Sequence, residues 1–136
     1  MKKAGIIPLL NEGIRLTRGT GSFYLAGMND PAVAHYQGDP PKIIVPPADS
    51  PLNIMLVHQP QFSTEIAKVP YHLQLSGHTH GGQFFPWNLI VKKIYPISGG
   101  LAKVQNLQVY VSHGSGYWGP PVRLGTRGEV TELILT

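Results

Sequence analysis

The chain contains no cysteine, which excludes disulfides and thiolate metal sites and leaves the redox compartment open. It has no apolar run near the roughly 20 residues that a membrane span needs. The start, MKKAGIIPLL, has lysines but only a short apolar stretch broken by Pro8, which makes a poor signal peptide. The location is left open, with cytoplasmic and membrane-associated both admitted. Charge is also scarce, at 13% of residues against 42% apolar ones. That balance is globular and not disordered. No basic run exceeds Lys2-Lys3 or Lys92-Lys93, so the net charge of +4 suits an anionic substrate or surface but outlines no nucleic-acid groove. Internal repeats and domain boundaries are likewise missing, and 136 residues fit one ordinary domain with a real core.

What is abundant is punctuation. Sixteen Gly and 13 Pro cut the sequence into short pieces, most of them β-rich. GIRLTR (13–18) and SFYLAG (22–27) alternate around Gly-Thr-Gly and predict a hairpin. PPKIIVPPADSP (40–51) is a proline-bracketed connector. LNIMLVH (52–58) is a near-continuous apolar run, as in a strand buried on both faces. STEIAKV (63–69) predicts a short helix with Ser63 as its cap. HLQLSG (72–77) predicts a strand, KVQNLQVYVS (103–112) a hairpin turning at Gln105-Asn106, and EVTELILT (129–136) a last strand. Residues 83–100, aromatic and irregular, read as a long surface excursion. Their FFPWNLIVKKIYP segment mixes aromatic, apolar and basic residues, which suits either contact with a lipid interface or a packed surface loop.

Six histidines are present, and three stand where chemistry is done. His58 ends a buried strand, and His78 and His80 open the glycine-rich loop GHTHGGQ (77–83) after the next one. Active sites of layered α/β folds favour that edge. If the backbone is extended there, residues i and i+2 point the same way, so the two imidazoles aim at one region and Thr79 points elsewhere. Gly81 and Gly82 keep bulk away and offer N–H groups to an anion. Such a loop serves metal binding, anion binding or plain packing. His35 and His72 carry no such context and read as surface residues. His113, among glycines and near Trp118, faces either a pocket or a loop.

LNIMLVHQP followed by LQLSGHTHGGQ resembles the calcineurin-like metallophosphoesterases. The nearest branch is a bacterial one, on the strength of VYVSHGSGYWGPPVRLGTRGEVTELIL (109–135), LLNEGIRL (9–16) and FYLAGMND (23–30). The resemblance covers nearly the whole chain. It implies an α+β fold, part of a β-sandwich flanked by helices, with residues 1–136 forming the strand-rich C-terminal portion of a single domain. It implies a phosphoric ester hydrolase with two divalent metal ions (Mn, Zn or Fe). His58 and His78 would bind one metal and His80 the other, as both catalytic and metal residues, and the partner would be a phosphorylated substrate. GYWGPPVRLG (116–125) is expected to be structural, with Arg123 bracing a loop.

The family's Asp-x-His, GDxxD and GNHD/E motifs do not occur in this chain. Its acids are Glu12, Asp30, Asp39, Asp49, Glu65, Glu129 and Glu132, and none stands in such a setting. Two cations held close together need anionic ligands between them. The expectation is thus a chain that lacks a competent two-metal site by itself and pairs with the missing N-terminal half or self-associates. Unrecognised ligands would have to come from Asp30, Asp39, His35 and His113. The alternative is a non-catalytic module, degenerate and binding a single metal or a partner. A cupin-like barrel also uses a glycine-rich His-x-His, but it wants a Glu soon after, and none appears until Glu129.

Overall fold

The computed structural model describes residues 5–135. Its frame is one mixed six-stranded sheet in the order β1-β2-β3-β4-β6-β5. β1 (Glu12–Arg18) and β2 (Gly21–Gly27) are the expected antiparallel hairpin, turned through Gly19 at a φ of 58°. β3 (Asn53–Leu56), β4 (Leu73–Ser76) and β6 (Leu107–Val111) follow β2 in parallel. β5 (Gly100–Val104) pairs antiparallel with β6 and turns at Gln105-Asn106, as the alternation predicts. Parallel neighbours need crossovers, and here these hold the helices: α1 (Ser63–Ile66) between β3 and β4, and α2 (Trp87–Ile94) after β4. This is an α+β arrangement compatible with a phosphoesterase-type fold. A second sheet, as a sandwich would have, is not found among the described residues.

The register separates the two faces of the sheet. Ala26, Met55, Gln74 and Val109 are cross-strand neighbours, and each is fully buried. Ile66 from α1 and Tyr71 close this side, with the Tyr71 hydroxyl donating to the Ile44 carbonyl at 2.7 Å. Burying a side chain the size of Met55 contributes about 2–3 kcal/mol. The next row, Gly27, Leu56, Leu75 and Tyr110, faces the other way. It lines an open hollow of about 630 Å³ with Ile14, Leu25 and Leu133.

Three local expectations are corrected. The 63–69 helix is a single turn, and Ser63 is its first residue, not its cap. Phe62 occupies the cap position without a side-chain hydrogen bond, and Pro70 follows too soon for a longer helix. The 83–100 excursion contains α2. Trp87, Ile90, Val91 and Ile94 recur at helical spacing behind Pro86, and Val91 is the one that is buried. Residues 129–135 form no strand. Both edges of β6 already bond β4 and β5, so the tail meets side chains instead of a ladder: the Tyr110 hydroxyl donates to Glu129 Oε1 at 2.8 Å.

Candidate functional site

Four parallel strands deliver their following residues to one edge. The ladder continues one step past β3 and β4, where the Val57 N–H donates to Leu75 O and the Gly77 N–H to His58 O, both at 3.0 Å. That places the His58 backbone beside the start of the GHTHGGQ loop. His78 Nδ1 then stands 3.2 Å from His58 Nε2. The rings meet edge-on, with centroids 4.9 Å apart and planes at 85°. The other His78 nitrogen, Nε2, is 3.1 Å from the hydroxyl of Tyr95, the residue that ends α2. His80 lines the same cavity as His58 and His78, a cavity of about 530 Å³. Its Nδ1 is buried without a hydrogen-bond partner among the described residues.

The three imidazoles therefore share one cavity, but not for the reason the spacing suggested. His78 and His80 are not extended; their φ values are 72° and 50°, in the left-handed region. Gly81 and Gly82 are left-handed as well. Side chains in that region cost on the order of 1 kcal/mol each, and such strain gathers at functional sites. Surrounding contacts hold the conformation. The buried Thr79 hydroxyl donates to the Ser98 carbonyl at 2.7 Å. A Cβ on Gly82 would lie 2.3 Å from the Asn88 Cα, so only glycine lets α2 pack this closely on the loop.

Burial favours the neutral form of two of the rings, His78 and His80. Burial pushes the His78 pKa below the usual imidazole value, and the neighbouring His58 adds to this, with Asp30 opposing. His80 is lowered by burial first, then by the Arg123 guanidinium and His58. A neutral imidazole keeps a lone pair for a metal.

Asp30, which the sequence left only among the reserve ligands with Asp39, His35 and His113, lines this cavity. The cue lay in the parallel pairing of β2 with β3, because Gly27 opposite Leu56 sets Asp30 beside the His58-Gln59 segment. Its Oδ1 accepts from the Ala32 N–H at 2.8 Å, and its carboxylate from the Gln59 amide at 3.2 Å. Tyr95, 17 residues beyond His78, left no cue in the sequence. His35 is exposed. His72 is exposed too, although its Nδ1 accepts the Asn53 N–H at 3.0 Å. His113 stands outside this cavity, its ring against Gly81 and Gly99.

Two nitrogens bound at about 2.0–2.1 Å to one tetrahedral ion stand about 3.3–3.4 Å apart. The 3.2 Å His58–His78 separation fits adjacent ligands of one divalent ion. A two-ion centre does not fit on this chain's donors alone. Among the described residues no group of three or more His, Asp or Glu side chains is gathered to hold an ion.

Comparison with known proteins identifies relatives across most of the chain. A transmembrane protein with metallophosphoesterase domain from Bos taurus is 38% identical over 94% of this chain and 32% of its own length. An uncharacterized metallophosphoesterase of Campylobacter jejuni is 35% identical over 93% of the chain and 34% of its own. One from Helicobacter pylori is 35% identical over 96% and 39%. The chain thus spans about a third of the length of these relatives. No family model matches, and no solved structure does. With named metallophosphoesterases aligned along nearly all of its residues, the chain belongs to the calcineurin-like metallophosphoesterases.

Proposed function

We propose that this chain carries part of the active site of a phosphoric ester hydrolase, with His58, His78 and His80 as metal ligands. Residues 1–136 would be the C-terminal portion of one phosphoesterase domain, whose two-metal centre is completed by ligands outside this chain. The observation that carries the reading is the facing pair of ring nitrogens, His58 Nε2 and His78 Nδ1, at 3.2 Å. A divalent ion, when bound, acts as a Lewis acid on a phosphoryl group and acidifies water. The chain's own residues do the rest. The Tyr95 hydroxyl lies 3.1 Å from His78 Nε2; with that nitrogen protonated, Tyr95 accepts its N–H and Nδ1 is left to bind. His80 presents a second imidazole from two residues on, and Asp30 supplies the cavity's carboxylate. Trp87, Ile94 and Trp118 wall the cavity and thin the water around a bound phosphoester.

The second reading, for the isolated chain, is a non-catalytic module that binds a single metal or a partner without turnover. One experiment separates the two. Titration calorimetry with Mn²⁺ or Zn²⁺ should give no more than about one ion per chain, with His78→Ala weakening binding by at least about tenfold. Hydrolysis of a chromogenic phosphodiester should be poor until an N-terminal phosphoesterase half is supplied in trans. Unchanged metal affinity in His78→Ala would overturn the ligand assignment. No gain of turnover on complementation would favour the non-catalytic module.

A further inference from the structure

All of the chain's excess positive charge lies in one stretch. Between Glu65 and Glu129 there is no Asp or Glu, while Lys68, Lys92, Lys93, Lys103, Arg123 and Arg127 all fall there. The same stretch carries exposed large apolar side chains. On and before α2, Phe85, Leu89, Ile90 and Ile94 are 58%, 56%, 46% and 59% exposed, and Trp118 is 67% exposed. Two hydrogen bonds tie the α2 segment to the Trp118 loop. The Phe85 N–H donates to Leu124 O at 2.9 Å, and the Gln83 side chain holds the backbone of Trp118, accepting its N–H at 2.6 Å.

The surface ends in basic groups. Lys92 and Lys93 are exposed in the last turn of α2. Lys92 also lines a cleft of about 820 Å³ with His113 and Arg127, and among the described residues no carboxylate lines it. At 100° per residue, Lys93 falls between Leu89 and Ile90, inside the apolar ridge. The cores of protein–protein interfaces are depleted in lysine, and two copies of this face would set like charges against each other. Aromatic rings at headgroup depth, aliphatic side chains at the acyl boundary and lysines at the phosphates are what an anionic bilayer surface takes.

We propose that the face formed by α2 and the Trp118 loop docks on an anionic lipid surface and holds the mouth of the histidine cavity against the headgroups. Trp87, Ile94 and Trp118 belong both to this face and to the cavity lining. The proposal does not rest on the phosphoesterase reading, because docking requires no turnover.

The chain's two tryptophans, Trp87 and Trp118, both report from this face. Phosphatidylcholine vesicles containing phosphatidylglycerol should shift their emission to the blue, and brominated acyl chains should quench it. Phosphatidylcholine alone should do neither, and added salt should weaken the effect. Reversing both charges (Lys92→Glu with Lys93→Glu) should weaken partitioning by at least about tenfold. Leu89→Ser, at a position 56% exposed and outside the buried core, should weaken it too. Equal binding to neutral vesicles would overturn the proposal, as would binding unaffected by these variants. A blue shift that grows with protein concentration in the absence of lipid would also overturn it, assigning the face to a second copy. Loss of binding on Leu56→Ser alone would assign the lipid contact to the open face of the sheet.

Discussion

Two glycine-rich loops leave the same edge of the sheet, residues 77–86 after β4 and residues 112–128 after β6, and they do different work. The first is locked by its own backbone. Gly82 sits against Asn88 of α2, consecutive left-handed residues fold it tightly, and its side chains His78 and His80 line the cavity. The second has almost no regular structure and is held by side chains. Gln83 bonds the backbone of Trp118 and Pro120. Arg123 donates to the carbonyls of His80, His113, Gly114, Gly116 and Arg127. Arg123 thus braces a loop, as its sequence context suggested, and it ties the second loop to the carbonyl of a candidate ligand in the first. Glycine content alone does not distinguish a loop that presents chemistry from one that supports it.

The contrast can be broken most forcefully at Gly82. Gly82→Ala puts a Cβ into the α2 backbone at a φ of 75°, so unfolding free energy should fall by about 3 kcal/mol in urea titration. A loss near zero would show that the first loop is not held by this contact. A smaller effect is expected at Arg123→Lys. An ammonium cannot fork to five carbonyls, so stability should drop by about 1–2 kcal/mol, while KM of the complemented enzyme stays unchanged. A large rise in KM at unchanged Tm would turn Arg123 into a substrate contact.

Glu129 should give the smallest effect. Burial raises its pKa, but the His113 N–H and the Tyr110 hydroxyl outweigh burial and leave it below the ordinary value. A carboxylate lowered in the fold adds stability above its unfolded value, near 4.5, and loses it as pH falls through the folded one. Glu129→Gln should therefore lower the urea midpoint at neutral pH, with the difference closing as pH drops well below 4.5. A difference that does not vary with pH would refute the charge argument.

Much of the sheet was legible because short alternating runs between turn residues admit little else. Both hairpins and the central strands lie where the pattern put them. The β3 run was read to His58, but the strand ends at Leu56, although its ladder continues to His58 O. α2 was hidden because Pro86 and the surrounding aromatic residues resemble a loop, and most of its apolar face is exposed. The 129–135 tail was misread because strand propensity says nothing about whether an edge is free. His58, His78 and His80 could be grouped from strand ends, and they do line one cavity. The left-handed backbone that sets the last two, and the approach of Tyr95, depend on packing over 17 residues and more. Asp30 stood only among the reserve ligands because its neighbour in space follows a different strand.

The parallel strands run in one direction, so what lies at their starts is kept from what lies at their ends. The tips of both hairpins, Gly19-Thr20 and Gln105-Asn106, fall at the starting edge. A four-residue strand separates the two edges by about 13 Å. Thr20 and Asn106 are exposed, which makes them attachment points for a handle. A fluorophore, an affinity tag or a tether to a solid support placed there would hang from the far end of the sheet, and an immobilised molecule would present its imidazoles outward to whatever is passed over it.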